Sequence, residues 1–257
     1  MTQSLSAQNI TVGYGDKIII NDLSVDIPTG EFTAIIGPNA CGKSTLLKAL
    51  SRMLEPKSGT IELNGKNIKD YSTKEVARQL GLLPQSPISP EGIRVEDLVG
   101  RGRYPHQGLF NQWTAKDTEA VDRAMARAKV TDLRDRYVSS LSGGQRQRVW
   151  IALVLAQETP IVLLDEPTTY LDITHQVEVL SLARSLKEEG FTVVAVLHEL
   201  SLAFRYASNL IMMKNGSIVA QGDVQETVTP ELIEQVYELP CDILSDPRSG
   251  SPIVVPR

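Results

Sequence analysis

The segment Phe32-Thr33-Ala34-Ile35-Ile36 has the makings of a buried strand, and it runs straight into Gly37-Pro38-Asn39-Ala40-Cys41-Gly42-Lys43-Ser44-Thr45. Ser44 to Leu50 then reads as a helix. The loop fits G-x-x-x-x-G-K-[ST], a pattern that needs a strand before it and a helix after it. Its glycines let the backbone curl so that N–H groups at the helix start converge on an anion. Lys43 is then placed to offset charge on the outer phosphates of a nucleotide, and the Ser44 hydroxyl to ligate Mg²⁺. A fold able to present this loop is an α/β sheet with the loop at the carboxyl end of a parallel strand.

A second glycine motif, Leu141-Ser142-Gly143-Gly144-Gln145, follows farther along; its Ser142-Gly143-Gly144 turn precedes a helix that reads from Gln145 through Arg146-Gln147-Arg148-Val149-Trp150-Ile151-Ala152-Leu153. Such a turn aims free amides, the positive end of a helix and a hydroxyl outward, which makes a second phosphate half-site. A chain cannot readily fold this turn onto its own loop. Two half-sites in one polypeptide therefore imply two copies, head to tail, with nucleotide between them.

Between and beyond these motifs the chain alternates strand and helix signals. Leu5 to Val12 and Leu23 to Ile27 read as strands, as does Gly59 to Leu63 ahead of an Asn64-Gly65 turn. Ser72 and Glu75 form a capping-box pattern before the strand Leu80 to Leu83, and Thr114 and Asp117 open a helix with Ala120, Val121, Ala124, Met125 and Ala128 on one side. The continuous apolar runs Ile161 to Leu164 and Thr192 to Leu197 suit central parallel strands. Asn209 to Met213 and Ser217 to Gln221 flank a Lys214-Asn215-Gly216 hairpin, and Cys241 to Arg257 reads as a small appended hairpin. The expected organisation is one domain: 1–84 and 157–257 form an α/β core with an N-terminal antiparallel β subdomain, and 85–156 an inserted, mainly helical subdomain.

Asp165 and Glu166 close the apolar run Ile161 to Leu164 and should emerge at the sheet end where ligands bind. Asp165 suits a water-mediated Mg²⁺ contact. Glu166 suits a catalytic base that polarises an attacking water. Three single residues each carry two readings. Tyr14 offers a face to adenine or simple packing; Gln85 reaches Mg²⁺ and the attacking water or is solvated; His198 donates to the γ-phosphate or caps a strand.

Composition narrows the rest. Hydrophobic residues make up 42% and charged residues 22% of the chain, and no apolar run approaches the roughly 18 residues that span a bilayer. The opening Met1-Thr2-Gln3-Ser4-Leu5 has no signal-peptide pattern, so a cytosolic setting is expected. Net charge is −5 without a Lys/Arg block, which argues against a nucleic-acid partner. Cys41 and Cys241 form no disulfide framework.

The ordered set of the Gly37 loop, Gln85, Leu141 to Gln145, Ile161 to Glu166, Thr169-Tyr170-Leu171-Asp172 and His198 resembles the ATP-binding cassette ATPases over essentially the whole chain. The resemblance implies a dimer that closes on two ATP molecules with Mg²⁺. It implies roles for Tyr14 at the base, Gln85 and His198 as switch residues, and Asp172 as an acid at the dimer interface. Within that family Gly100 to Phe110, Arg146 to Gln176 and the tail from Asp246 are similar to the ATPases of bacterial iron–siderophore importers. That implies integral-membrane permease subunits docked on a groove around Gln85 to Phe110, a location on the inner face of the cell membrane through them, and an indirect link to a substrate-binding protein. Cobalamin and haem importer ATPases share much of the pattern, and a soluble cassette ATPase of iron–sulfur cluster assembly is a further alternative.

Two positions depart from the family's usual residues. Ala40 stands where glycine is frequent, and a negative φ is expected there. Glu199 stands where aspartate commonly follows the histidine. Cys41, near a helix N-terminus, is expected to have a depressed thiol pKa, with alkylation inhibiting and ATP protecting.

Overall fold

The computed structural model describes residues 4–108 and 112–257, which form two compact units, 1–70 with 183–257 and 71–182. Met1 to Gln3, and Leu109 and Phe110 of the Gly100 run, lie outside the described residues.

The first unit opens with β1 (Leu5–Tyr14) and β2 (Lys17–Ile27), an antiparallel pair joined by a tight turn at Gly15. Their register breaks between Ala7 and Ile10 and again between Ile10 and Val12; Asn9 in the first break and Asp22 at the second both take left-handed φ (49° and 51°), and Asn9 Nδ2 donates to Asp22 Oδ1 at 2.9 Å. These bulges twist the pair without unpairing its polar groups. β3 (Phe32–Ile36) follows, buried at every residue, then α1 (Lys43–Leu50), β4 (Ser58–Leu63) and the short β5 (Lys66–Asn67). The β4–β5 turn is Asn64-Gly65 with both φ positive (55° and 73°), the geometry that makes Asn-Gly a hairpin signal. β2-β1-β4-β5 form one antiparallel sheet.

In the second unit α2 (Thr73–Ala77) starts at the expected capping box, with Ser72 Oγ accepting from Glu75 N and Glu75 Oε2 from Ser72 N. β6 (Leu80–Leu83) leads to α3 (Val95–Gly100), a 3₁₀ turn (Arg101–His106), α4 (Ala115–Arg127) and α5 (Gly143–Ala156). β7 (Ile161–Asp165) then pairs parallel with β6, Leu83 opposite Leu164. The helices pack through Leu98 and Val99, Val121 and Met125, and Val149 and Ile151, all buried. Thr114 caps α4 with Asp117 as its box partner, as the sequence leads one to expect.

α6 (Ile173–Glu188) leads back to the first unit, which continues with β8 (Thr192–Val196), α7 (Leu200–Tyr206), β9 (Asn209–Lys214), β10 (Ser217–Asp223), α8 (Val224–Thr227), α9 (Pro230–Tyr237) and the terminal hairpin β11 (Cys241–Ser245) and β12 (Pro252–Pro256). β3 lies parallel between β8 and β9, with β10 returning antiparallel beside β9. Apolar residues on both faces of β3 and β8 are what a parallel strand covered on two sides requires.

The Gly100 run acquires a structural reason. Gly102 has no room for a side chain, since a Cβ there would lie 2.3 Å from the Leu153 carbonyl oxygen on α5. Arg103 is 4% exposed, and its guanidinium donates to Asp117 Oδ1 (2.9 Å), Glu158 Oε2 (2.7 Å) and the Ala156 carbonyl (2.7 Å). One cation thereby joins the start of α4 to the end of α5. Burial pushes the Asp117 carboxyl up, but hydrogen bonds from Thr114 and Arg103 outweigh it and hold the group below its ordinary range. Glu158 is held low in the same way by Arg123 and Arg103 against its own desolvation. A carboxylate with a depressed folded pKa stabilises fully above its unfolded pKa of about 4 and loses that contribution as pH falls through the folded value. Arg103→Met should therefore cost about 3–5 kcal/mol at pH 7, because Asp117 is left buried and unneutralised. Urea unfolding at pH 7 and in acid checks this; the gap between wild type and variant should narrow as the acid limb is entered.

Candidate nucleotide-binding site

The loop from Gly37 to Gly42 leaves the carboxyl end of β3, and α1 starts at Lys43. Gly37 has φ 149°, and a Cβ on it would meet the Met213 carbonyl oxygen at 2.1 Å, so glycine is required by the close passage of β9. Gly42, the N-cap of α1, has φ 107°. Cys41 N–H donates to the Pro38 carbonyl and Gly216 N–H to the Cys41 carbonyl, closing the loop on itself and on the β9–β10 turn. Pro38 is half-buried, whereas Asn39 and Ala40 are exposed at the rim. Lys43 is buried, with Nζ donating to the Gly37 and Pro38 carbonyls at 2.8 Å each. The ammonium thus lies inside the ring that the loop describes. Ser44 is half-buried and Thr45 buried in the first turn of α1, whose amides have no intrahelical acceptor and face the loop.

Two expectations about this loop are corrected. Ala40 has φ 61°, not a negative value. The loop demands a left-handed residue there, at about 1–2 kcal/mol for any side chain, and Ala carries that strain. The Cys41 thiol is raised rather than lowered: burial pushes it up, and nearby Lys43 only partly offsets that. Helix direction explains the difference. Cys41 precedes the N-cap and turns inward, where a Cβ on Gly37 would be 2.9 Å from its sulfur, instead of facing the field at the start of α1.

His198 stands at the same sheet end as the loop. β3 and β8 are parallel with Ile35 opposite Val196, Leu197 N–H donates to the Ile35 carbonyl, and the exposed His198 follows. Glu199 is the N-cap of α7 but makes no side-chain capping bond. Tyr14 ends β1 with 49% of its surface exposed, which leaves its ring open rather than packed.

In the second unit the parallel pair β6 and β7 does for Gln85 and Glu166 what β3 and β8 do for the loop and His198. Both strands release their chains at one end, and Gln85 Nε2 donates to Glu166 Oε2 at 2.7 Å. Asp165 is buried at the last position of β7. Glu166 has φ 52°, a left-handed conformation that is costly for any non-glycine residue and is found clustered at functional sites. Thr169 Oγ1 donates to the same carboxylate oxygen at 3.1 Å. This second holder of Glu166 went unread in the sequence, although it lies at the spacing of a one-turn contact.

The helix after the Ser142 turn, α5, begins two residues earlier than expected, at Gly143 rather than Gln145. Ser142 Oγ accepts from Gln145 N at 3.2 Å and Gln145 Oε1 from Ser142 N at 3.1 Å, a capping box of the same S/T-x-x-E/Q form as Ser72 and Glu75. The hydroxyl oxygen therefore serves the helix, while its proton remains available to a ligand. Gly143 is exposed and Gly144 buried. Asp172 is itself a cap: its Oδ1 accepts from His175 N at 3.0 Å at the start of α6.

Comparison with known proteins places this arrangement. A sequence profile described as ABC transporter matches residues 20–169. The chain is 55% identical to the ferric enterobactin transport ATP-binding protein FepC of Escherichia coli (strain K12), covering 100% of this chain and 96% of that protein. It is 50% identical to the probable siderophore transport system ATP-binding protein YusV of Bacillus subtilis (strain 168), covering 99% and 93%. Among solved structures it matches an ABC transporter in an inward-facing conformation with a TM-score of 0.85 at 31% identity, covering 100% and 98%. It also matches the dimeric structure of a bacterial ABC transporter cassette with a TM-score of 0.75 at 26% identity, covering 85% and 98%.

A raised thiol pKa means less thiolate at neutral pH. Cys41 should alkylate about tenfold or more slowly than a free cysteine at pH 7.5, with the rate still climbing at pH values where an ordinary thiol has levelled off. A mass-spectrometric time course with iodoacetamide on the native protein measures this.

Proposed function

Because the chain belongs to the ABC transporter family, as one of its ATP-binding ATPase subunits, we propose that it powers the import of a ferric siderophore through a separate membrane permease. The observation that carries the catalytic part is the Gln85–Glu166 contact beside Asp165 at one parallel strand end, in a chain whose other parallel pair presents the phosphate loop and His198. ATP binds with its phosphates in the ring of amides from Gly37 to Thr45, and Lys43 moves from the loop carbonyls to the outer phosphates. Tyr14 stacks on the base. Glu166, fixed by Gln85 and Thr169, orients a water and accepts its proton as the water oxygen bonds to the γ-phosphorus. The bond from that phosphorus to the bridging oxygen breaks, releasing ADP and inorganic phosphate. His198 donates to a γ-phosphate oxygen.

Mg²⁺ would be held by Ser44, by Asp165 and by the carbonyl oxygen of Gln85, whose amide nitrogen is engaged with Glu166, all of them hard oxygen donors. When bound, the ion supplies neutralisation of the phosphate charge. Ser142, Gly143, Gly144 and Gln145 of a second copy, with its Asp172, complete each site, so that two chains close on two nucleotides. The dimeric cassette among the structural relatives supports this. The segment 85–156 is the inserted subdomain that carries this second half-site.

The importer assignment rests on the transport roles in the relatives' names and on a surface of the second unit. A groove of about 730 Å³ is lined by Glu96, Asp97, Gly100, Arg101, Tyr104 and Trp113, with Tyr104 58% and Trp113 50% exposed. Trp113 lies over Gly100, where a Cβ would approach its ring at 3.1 Å, and its Nε1 donates to Thr118. This is the place for an amphipathic cytoplasmic helix of the permease, which anchors the subunit at the inner face of the membrane. Among the described residues no helix is long and apolar enough to cross a membrane itself.

Glu166→Gln should retain ATP binding, lose turnover by about a hundredfold or more, and accumulate ATP-dependent dimers on size-exclusion chromatography. Undiminished turnover would remove Glu166 from its role. Tyr104→Ala with Trp113→Ala should weaken permease capture by about 2 kcal/mol or more, as loss of aromatic anchors does, with ATP affinity unchanged. Co-purification after mild detergent extraction reads this.

A further inference from the structure

We propose that His175 is a positioning residue that ties the Ser142 turn to the start of α6, and that Gly144 is glycine because the His175 imidazole stands where its side chain would be. The proposal rests on the reading of that turn as the phosphate clamp offered to a second copy.

The two glycines of the turn differ within the protomer. Neither has a positive φ, so neither is explained by backbone freedom. A Cβ on Gly143 would meet nothing within 4 Å. A Cβ on Gly144 would lie 2.3 Å from Cδ2, 2.4 Å from Cγ and 2.8 Å from Nε2 of His175. Contacts that short force either the His175 ring out of its place or one helix away from the other.

The ring is held. His175 Nδ1 donates to Glu178 Oε2 at 3.1 Å, and the same oxygen lies 3.8 Å from Arg148 Nε on α5. On its other side Nε2 is 4.0 Å from Asp172 Oδ2, while the backbone N–H of His175 is capped by Asp172 Oδ1. Asp172, His175 and Glu178 fall three residues apart on one face of α6; Gly144 and Arg148 fall four apart on one face of α5. The first turns of the two helices therefore meet at two rungs, ring on glycine and carboxylate near guanidinium. A shift of Asp172, the acid assigned to the dimer interface, passes through the imidazole to the amides at Gly143 and Gly144. His175 thus couples the two elements of one chain that the second copy's nucleotide engages, without touching the nucleotide.

The test uses the full-length chain with His175→Ala, His175→Gln, Gly144→Ala, Gly143→Ala and the two glycine variants combined with His175→Ala, each with and without Glu166→Gln. Expected for His175→Ala is a loss of about tenfold in kcat and a similar rise in the ATP concentration needed for dimerisation. Fluorescent-nucleotide affinity of the monomer and the thermal midpoint should stay near wild type, and His175→Gln should recover part of the loss. Gly144→Ala should lose about tenfold or more, and removing the ring in Gly144→Ala/His175→Ala should return at least part of that loss. Gly143→Ala should gain nothing from His175→Ala. Equal defects in Gly144→Ala and its double variant, or a fall in midpoint and nucleotide affinity that tracks kcat in His175→Ala, would overturn the proposal. If Glu166→Gln alone forms no ATP-dependent dimer, the two-copy reading fails and takes this inference with it; dimers without rescue sink only the inference.

Discussion

A parallel strand covered on both faces has to give up its chain abruptly at its carboxyl end, and the residues proposed for the chemistry lie, in each unit, where that happens. β3 is buried at every position between β8 and β9, so its next residues must turn away from the Met213 carbonyl at once. Only a glycine fits there. The turn leaves a ring of backbone with a helix start behind it, and a lysine folded into that ring. The capacity for phosphate proposed for this loop would then be a by-product of how a buried sheet ends: the amides that the sheet and helix cannot satisfy are ones a phosphate could.

The same geometry recurs in the second unit with different side chains. β6 and β7 end together, β7 on a buried aspartate, and the residues beyond them include an amide and a glutamate in a left-handed turn. Parallel pairing sets the register, so Gln85 and Glu166, far apart in the chain, meet at 2.7 Å. Elsewhere in this unit α4 and α5 are joined by one buried cation. Arg103 takes two carboxylates and a helix-terminal carbonyl, so a segment for which the family resemblance implied a partner-docking groove also holds its unit together.

Much of this was legible residue by residue. Capping boxes at Ser72 and Thr114, the Asn64-Gly65 turn and the apolar runs of β3, β7 and β8 each depend on neighbours within a few positions, and each formed where expected. Readings that failed concerned direction. Proximity of Cys41 to a helix start suggested an activated thiol, but whether a side chain faces the helix field or the core depends on the loop's path, and it faces the core. Ala40 was expected to avoid the left-handed region because its own preference is to do so. Closure of the loop between Gly37 and Gly42 overrode that preference at this residue.

Local chemistry in the chain determined which strands would be buried, roughly where helices would start, and that a glycine-lysine loop, an acid pair and a second glycine turn were all present. Those properties follow from side-chain polarity and backbone freedom over short spans, which travel with the sequence. Tertiary structure alone decided that Glu166 is held by both Gln85 and Thr169, that Arg103 is a buried tie, and that Gly144 is occupied from outside by His175. These depend on the spacing between packed elements to within a few tenths of an ångström, and no single segment encodes the distance to its neighbour.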